Sequence, residues 1–98
     1  MHLREQLDEV IHQPVRFSIT AALAAADELE FSFVRDLVNI SDSALSKQAT
    51  VLEAAGYVHI RKGYVGKRPR TWLSLTPAGH EAFAHHLAIL REIAGVTG

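Results

Sequence analysis

The stretch from Ile40 to Tyr57, ISDSALSKQATVLEAAGY, constrains this chain more than any other, because both ends of a helix are written into it. Ser41 is a favoured N-cap, Asp42 puts negative charge in the first turn where the helix dipole stabilises it, and Gly56 stands where a left-handed C-terminal cap falls. With Ser41 as the cap, Ile40 precedes it and Leu45 is the fourth helical residue, the pair that closes a hydrophobic staple. At about 100° per residue, Leu45, Ala49 and Leu52 share one face, while Ser43, Ser46, Lys47 and Thr50 lie on or beside the opposite one. A helix is therefore expected from Ser41 to Ala55, apolar on one side and small, polar and cationic on the other. An ordinary solvated face has this composition, and so does a face that lies in a DNA groove. There, short hydroxyl side chains allow close approach and Lys47 suits a phosphate or a guanine edge.

After Gly56 the hydrophobic period drops from that of a helix to that of a strand. In residues 57–62 Val58 and Ile60 oppose His59 and Arg61, and in 71–75 Leu73 and Leu75 point together, so two half-buried strands are expected. Between them residues 63–70, GYVGKRPR, read as a loop whose glycines allow sharp turns and whose tip is basic. Upstream of the organising helix, an extended piece at 30–32 leads to Ser32, which is expected to cap a short helix from Phe33 to about Val38. Phe33, Leu37 and Val38 should face inward, and Asn39 tolerates the left-handed conformation of a tight inter-helix turn. Phe33 to Ala55 is thus a helix-turn-helix.

The remaining helices lie at the two ends of the chain. Leu3, Leu7, Val10 and Ile11 recur at helical spacing, so a first amphipathic helix is expected over the opening residues. Pro14 ends it and starts a second, to about Ala26, with Val15, Ile19, Ala22, Leu23 and Ala26 on its core face. Thr76-Pro77 opens a last helix to about Ala94. That helix carries two apolar stripes, Phe83, Leu87, Leu90 and Ala94 on one side and Ala82, Ile89 and Ile93 on another turned by about 100°. A small monomer needs only one. Either this chain covers both, or Ala82, Ile89 and Ile93 meet a second copy across a two-fold axis, together with Leu3, Leu7 and Val10.

Ninety-eight residues, 48% of them hydrophobic, suit one domain over 1–98. Cysteine is absent, which excludes disulfides, thiolate metal ligands and thiol catalysis together. No apolar run is long enough to span a membrane and the start lacks the pattern of a signal peptide, so a soluble cytoplasmic protein is expected. The net charge of -1 argues against a uniformly basic surface. Its distribution points the other way. Residues 1–53 balance to -5, residues 54–80 hold Arg61, Lys62, Lys67, Arg68 and Arg70 with no acid for a balance of +5, and residues 81–98 balance to -1. Such asymmetry is the footprint of a local polyanion contact.

A helix-turn-helix followed at once by a basic-tipped hairpin is the winged helix-turn-helix arrangement. The segments HQPVRFSI (12–19), SDSALSKQ (41–48), VLEAAGYV (51–58) and GKRPRTWLSLTPAG (66–79) resemble, in order and over nearly the whole chain, the small single-domain transcriptional regulators related to the MarR and ArsR families. The expected fold is mainly α with a small antiparallel β-hairpin (α+β), in the order α-α-β-α-α-β-β-α. The resemblance implies a homodimeric, repressor-like regulator that binds double-stranded DNA sequence-specifically, with the 41–55 helix in the major groove and the 63–70 wing on phosphate or minor groove. Carried onto this chain, the expected contacts are Ser43, Ser46, Lys47, Gln48 and Thr50 on the helix and Lys67, Arg68 and Arg70 on the wing. Two positions depart from the related pattern. Asn39 stands where glycine is frequent, and Gln48, nearer the core side of the wheel, stands where histidine is frequent.

No phosphate-cradling glycine loop, paired carboxylate motif or nucleophile elbow is present, so no catalytic residue, enzyme activity or cofactor is expected. His80, His85 and His86 lie on the last helix, where metal-sensing relatives bind ions, but their spacing does not share a face. They are expected to be solvated, and no metal site is assigned. Nothing in the residues specifies a small-molecule effector, for which the only room expected is a dimer interface or a crevice beside it. A winged helix can also bind a protein or RNA instead of DNA. Salt distinguishes the first case, because counterion release weakens DNA binding steeply and a hydrophobic protein interface responds little.

Overall fold

The structure, a computed structural model, describes residues 6–97. It orders them as α1 (Glu9–His12), α2 (Pro14–Ala24), β1 (Leu29–Glu30), α3 (Phe31–Val38), α4 (Asp42–Ala54), β2 (Val58–Val65), β3 (Arg68–Leu75) and α5 (Pro77–Thr97). This is the expected order. The sheet is antiparallel throughout with strand order β1-β3-β2, so the hairpin gains a third, short strand whose Leu29 lies opposite Leu73 and whose Glu30 lies opposite Trp72.

The local signals at α4 are made as the sequence implies. Ser41 accepts a hydrogen bond from the Ala44 N–H at 3.1 Å, and Leu45, Ala49 and Leu52 are buried. At the other end Gly56 takes φ 81°, its N–H reaches the Glu53 carbonyl at 2.9 Å, and the Tyr57 N–H reaches Leu52 at 3.0 Å. That pair of bonds is a Schellman cap. Asn39 sits at φ 61°, the one non-glycine residue with positive φ among those described, and lets α3 turn sharply into α4. Thr76 caps α5 by accepting from the Gly79 N–H at 2.9 Å.

Other expectations need correction. Among the described residues the first helix is a single turn, because the Asp8 carboxylate accepts from the N–H groups of Val10 and Ile11 and starts the helix there; Leu3 lies outside the described residues. Helix α2 ends at Ala24 rather than Ala26, and α3 begins at Phe31 rather than after Ser32, with Glu30 at its N-cap. The earlier start changes which face is inside. Val34 is buried with Phe31 and Val38 packed on the core, whereas Phe33 and Leu37 are 54% and 59% exposed. The expected 63–70 loop is mostly strand. Only Gly66 and Lys67 form the turn, with Gly66 at φ 63°, the sign pattern of a type II′ hairpin.

Ile19 and Leu23 of α2, Val34 of α3, Leu45, Ala49 and Leu52 of α4, Val58 of β2 and Leu73 and Leu75 of β3 make one core. Each large side chain there contributes about 1.5–3 kcal/mol by leaving water. The sheet end and the first turn of α5 lock against the C-terminal end of α4. The Thr76 N–H donates to the Tyr57 carbonyl at 3.0 Å and its hydroxyl to the Gly56 carbonyl at 2.6 Å. A Cβ on Gly79 would lie 2.1 Å from that Tyr57 oxygen, so only glycine fits. Two residues of α5 are placed differently from the sequence reading. Ile89 is 4% exposed and His86 0%, both covered by this chain, while His80 and His85 are exposed as expected. Among the described residues no helix is long and apolar enough to cross a membrane.

Candidate nucleic-acid interface

Helix α4 is fixed from behind by Leu45, Ala49 and Leu52, which leaves Ser43, Ser46, Lys47 and Thr50 exposed on the opposite side. The hydroxyls there are partly committed. Thr50 donates its hydroxyl to the Ser46 carbonyl at 2.9 Å, so toward solvent it offers lone pairs and a methyl group, and Ser43 lies 3.2 Å from Ser41, oxygen to oxygen. At the start of the helix Arg35 binds Asp36 at 2.9 Å and Asp42 at 2.8 Å. Those bonds raise the Arg35 pKa, hold the Asp36 carboxyl below its usual range, and neutralise the guanidinium locally. Gln48 is half-buried beside this face, and its Oε1 accepts from Arg16 Nη1 at 2.8 Å.

Strand alternation divides the wing. Arg61, Trp72, Arg70 and Arg68 share one face of the hairpin by cross-strand register, and Lys62, Thr71, Tyr64 and Pro69 share the other. On the first face two cations are paired within the chain. Arg61 donates Nε to Glu28 Oε2 at 2.9 Å and Nη2 to Oε1 at 2.7 Å, and its guanidinium lies 3.9 Å from the Trp72 ring centroid. The same pair of bonds lowers the Glu28 pKa and raises that of Arg61. Arg70, half-buried, has Nε 3.5 Å from Glu30 Oε1. Among the described residues no carboxylate pairs with Lys47, Lys62, Lys67 or Arg68. Cations without a carboxylate partner among the described residues thus stand on α4 (Lys47), along β2 (Lys62) and at the wing tip (Lys67 and Arg68).

Sequence reasoning singled out none of Arg16, Glu28, Glu30 or Asp8. Glu28 and Glu30 could have been found, since they flank Leu29 at strand spacing and so face one side together. Asp8 accepts the Tyr57 hydroxyl at 2.5 Å, which raises the Tyr57 pKa and ties the α1 cap to the residue that ends α4. No local signal marks that pair or Arg16 with Gln48, because each joins residues far apart in the chain.

A helix-turn-helix with a charged hairpin and a third strand is matched over residues 15–94 by the sequence profile of the winged helix DNA-binding domain. The chain belongs to that winged helix family. As such, residues 15–94 form a winged helix DNA-binding domain. The winged helix chain is 27% identical over 79 residues, 81% of its own length and 86% of the other, to an uncharacterized protein of Methanocaldococcus jannaschii. It superposes on the transcriptional regulator homologue protein from Pyrococcus horikoshii OT3 with a TM-score of 0.91 and 24% identity, covering 99% of this chain and 98% of that one. A MarR family transcriptional regulator from Silicibacter pomeroyi shares the fold with a TM-score of 0.69 and 24% identity, over 92% of this chain and 60% of that one.

Proposed function

We propose that this winged helix protein binds double-stranded DNA sequence-specifically as a homodimer in the cytoplasm, with α4 in the major groove and the β2-β3 wing on phosphate or minor groove. The observation that carries the reading is the distribution of unpaired charge. Among the described residues, Lys47 beside Ser43, Ser46 and Thr50, and Lys67 with Arg68 at the wing tip, lack carboxylate partners, whereas Arg35, Arg61 and Arg70 have them. A duplex laid across α4 and the wing supplies what those free cations lack.

Surplus surface supports the second copy. The accessible area is 6278 Å², against about 5,500 Å² for a compact monomer of this mass, and the radius of gyration is 14.5 Å, against about 13 Å. Ala82 and Ile93 of α5 and Leu7 and Val10 near α1 are each half-buried and remain in the proposed interface. Ile89, covered by its own chain, does not. A two-fold dimer would set two α4 helices about 34–36 Å apart on successive major grooves.

The test is selection of bound sequences from a random duplex pool, followed by Lys47→Ala and Ser43→Ala. Both variants should fold normally and lose about 1–3 kcal/mol of specific binding. Loss of thermal stability with unchanged discrimination would sink the reading. Repressor-like action belongs to the same proposal, and is checked by whether transcription through a selected site falls when the protein is added.

A further inference from the structure

The β2-β3 hairpin has an inner and an outer face. Register puts Val58 opposite Leu75 and Ile60 opposite Leu73, and side chains alternate along a strand, so these four lie on one face. That face packs on the helices: Val58, Leu73 and Leu75 share the core with Leu45, Ala49 and Leu52 of α4, and Ile60 packs against it. Farther out, Lys62 opposite Thr71 and Tyr64 opposite Pro69 continue the same inner face. Tyr64 stands about 13 Å along the strand from Ile60, beyond the last core residue of β2.

The outer face satisfies itself. Both Glu28 oxygens hold Arg61, whose guanidinium lies over Trp72, and Arg70 has Glu30. The inner face has no such arrangement beyond the core. Among the described residues Lys62 has no carboxylate partner, and Tyr64 is 73% exposed with no partner for its hydroxyl. Direction matters as well. Leu45, Ala49 and Leu52 point from α4 toward the sheet, whereas Ser43, Ser46, Lys47 and Thr50 point away from it. A line from the sheet through α4 leaves the molecule among those four side chains, and the inner face of the wing looks the same way. A body lying on the exposed side of α4 and reaching past it therefore meets Lys62 and Tyr64 before Arg61 or Arg70. We propose that the inner face of the wing is the one that meets the duplex, Lys62 pairing with one phosphate and Tyr64 donating its hydroxyl to another. Lys67 in the turn and Arg68 beside it stand at the end that both faces share. A tyrosine hydroxyl binds a phosphate oxygen without charge, so it adds affinity and releases no counterion. The inference rests on α4 lying in the major groove.

The experiment titrates the full chain with a duplex selected from a random pool and with an unselected duplex, at several salt concentrations, with melting temperature measured in parallel. Lys62→Ala should lower the slope of log affinity against log salt by about 0.9 on both duplexes, and Lys62→Arg should restore it. Tyr64→Phe keeps the ring opposite Pro69 and loses only the hydroxyl. It should weaken binding about two- to tenfold, the size of one neutral hydrogen bond, and leave the slope unchanged. Glu28→Gln combined with Arg61→Gln removes the paired charges without changing the net charge, and should alter neither affinity nor slope. An unchanged slope in Lys62→Ala, unchanged affinity in Tyr64→Phe, or a lower slope in the Glu28 and Arg61 double variant overturns the proposal. A purely structural Tyr64 would show as a lowered melting temperature in Tyr64→Phe with the affinity of the folded protein untouched, and that result overturns it too. Should Lys47→Ala and Lys67→Ala weaken binding while Lys62→Ala and Tyr64→Phe do not, only the choice of face falls. Should the unmutated chain bind neither duplex, the placement of α4 in the groove falls and this inference with it.

Discussion

His86 is a buried polar residue whose Nδ1 accepts the Asp8 N–H at 3.2 Å. Its proton must then sit on Nε2, which has no partner among the described residues. Burial first, and then the His12 ring 5.3 Å away, push its pKa below 6.5; His85 acts in the same direction and Asp8 opposes. The unfolded chain therefore binds a proton that the folded chain refuses. His86 makes its full contribution to stability above pH 6.5, and that contribution is lost as the pH falls from there through the lowered folded value. Acidification from neutrality should lower the melting temperature, with a slope of at most about 1.4 kcal/mol per pH unit from this group. His86→Gln should flatten the profile; an equal slope in the variant would show that another group is responsible. Gly79 makes a second residue-scale prediction. A methyl 2.1 Å from the Tyr57 oxygen cannot be accommodated without separating α5 from the end of α4. Gly79→Ala should cost about 1–3 kcal/mol in urea unfolding. Gly95→Ala, with no atom within 4 Å of the new methyl, should not destabilise.

At the scale of elements, the wing separates cations that only the fold distinguishes. Lys67 in the turn and Arg68 beside it have no carboxylate partner among the described residues, whereas Arg70 already has Glu30 at 3.5 Å. Each phosphate contact contributes about 0.9 to the slope of log affinity against log salt. Lys67→Ala and Arg68→Ala should each reduce the slope by about one, and Arg70→Ala by less. Glu30→Gln should steepen it by freeing Arg70. Equal effects at the three cations in a salt titration would refute the distinction. The inward face of α3 is set by where the helix starts. Phe33 and Leu37 form one apolar set at helical spacing, and Phe31, Val34 and Val38 form a second. Pairing of β1 with β3 starts the helix at Phe31 and turns the second set inward.

Across the whole molecule, α5 carries the half-buried residues on which the proposed second copy would sit. Its 21 residues reach about 31 Å, and the longest dimension of the chain is 53 Å. Ile93→Glu, at a half-buried position, should leave a folded monomer whose affinity for a selected site collapses while weak non-specific binding survives. Ile89→Glu should instead melt the chain itself, because a carboxylate would enter a site only 4% exposed. Sedimentation of the two variants beside the unmutated protein tests both. A unmutated chain that is monomeric at micromolar concentration and still sequence-specific would refute the dimer.

Caps, turns and periods were legible in the sequence because they depend on residues a turn or two apart. Ser41, Asn39, Gly56 and Thr76 each act on a neighbouring backbone group, and Leu45, Ala49 and Leu52 share a face by helix geometry alone. The polar face of α4 and the basic wing followed from the same arithmetic. Tertiary structure alone decided which of two apolar faces turned inward on α3 and which residues of α5 its own chain covered. It also decided which cations were cancelled, since Arg61 met Glu28 and Arg70 met Glu30 only once separate elements packed. Those outcomes turn on which surfaces can be removed from water together and which charges then lie within bonding distance, and neither quantity exists until the chain has folded.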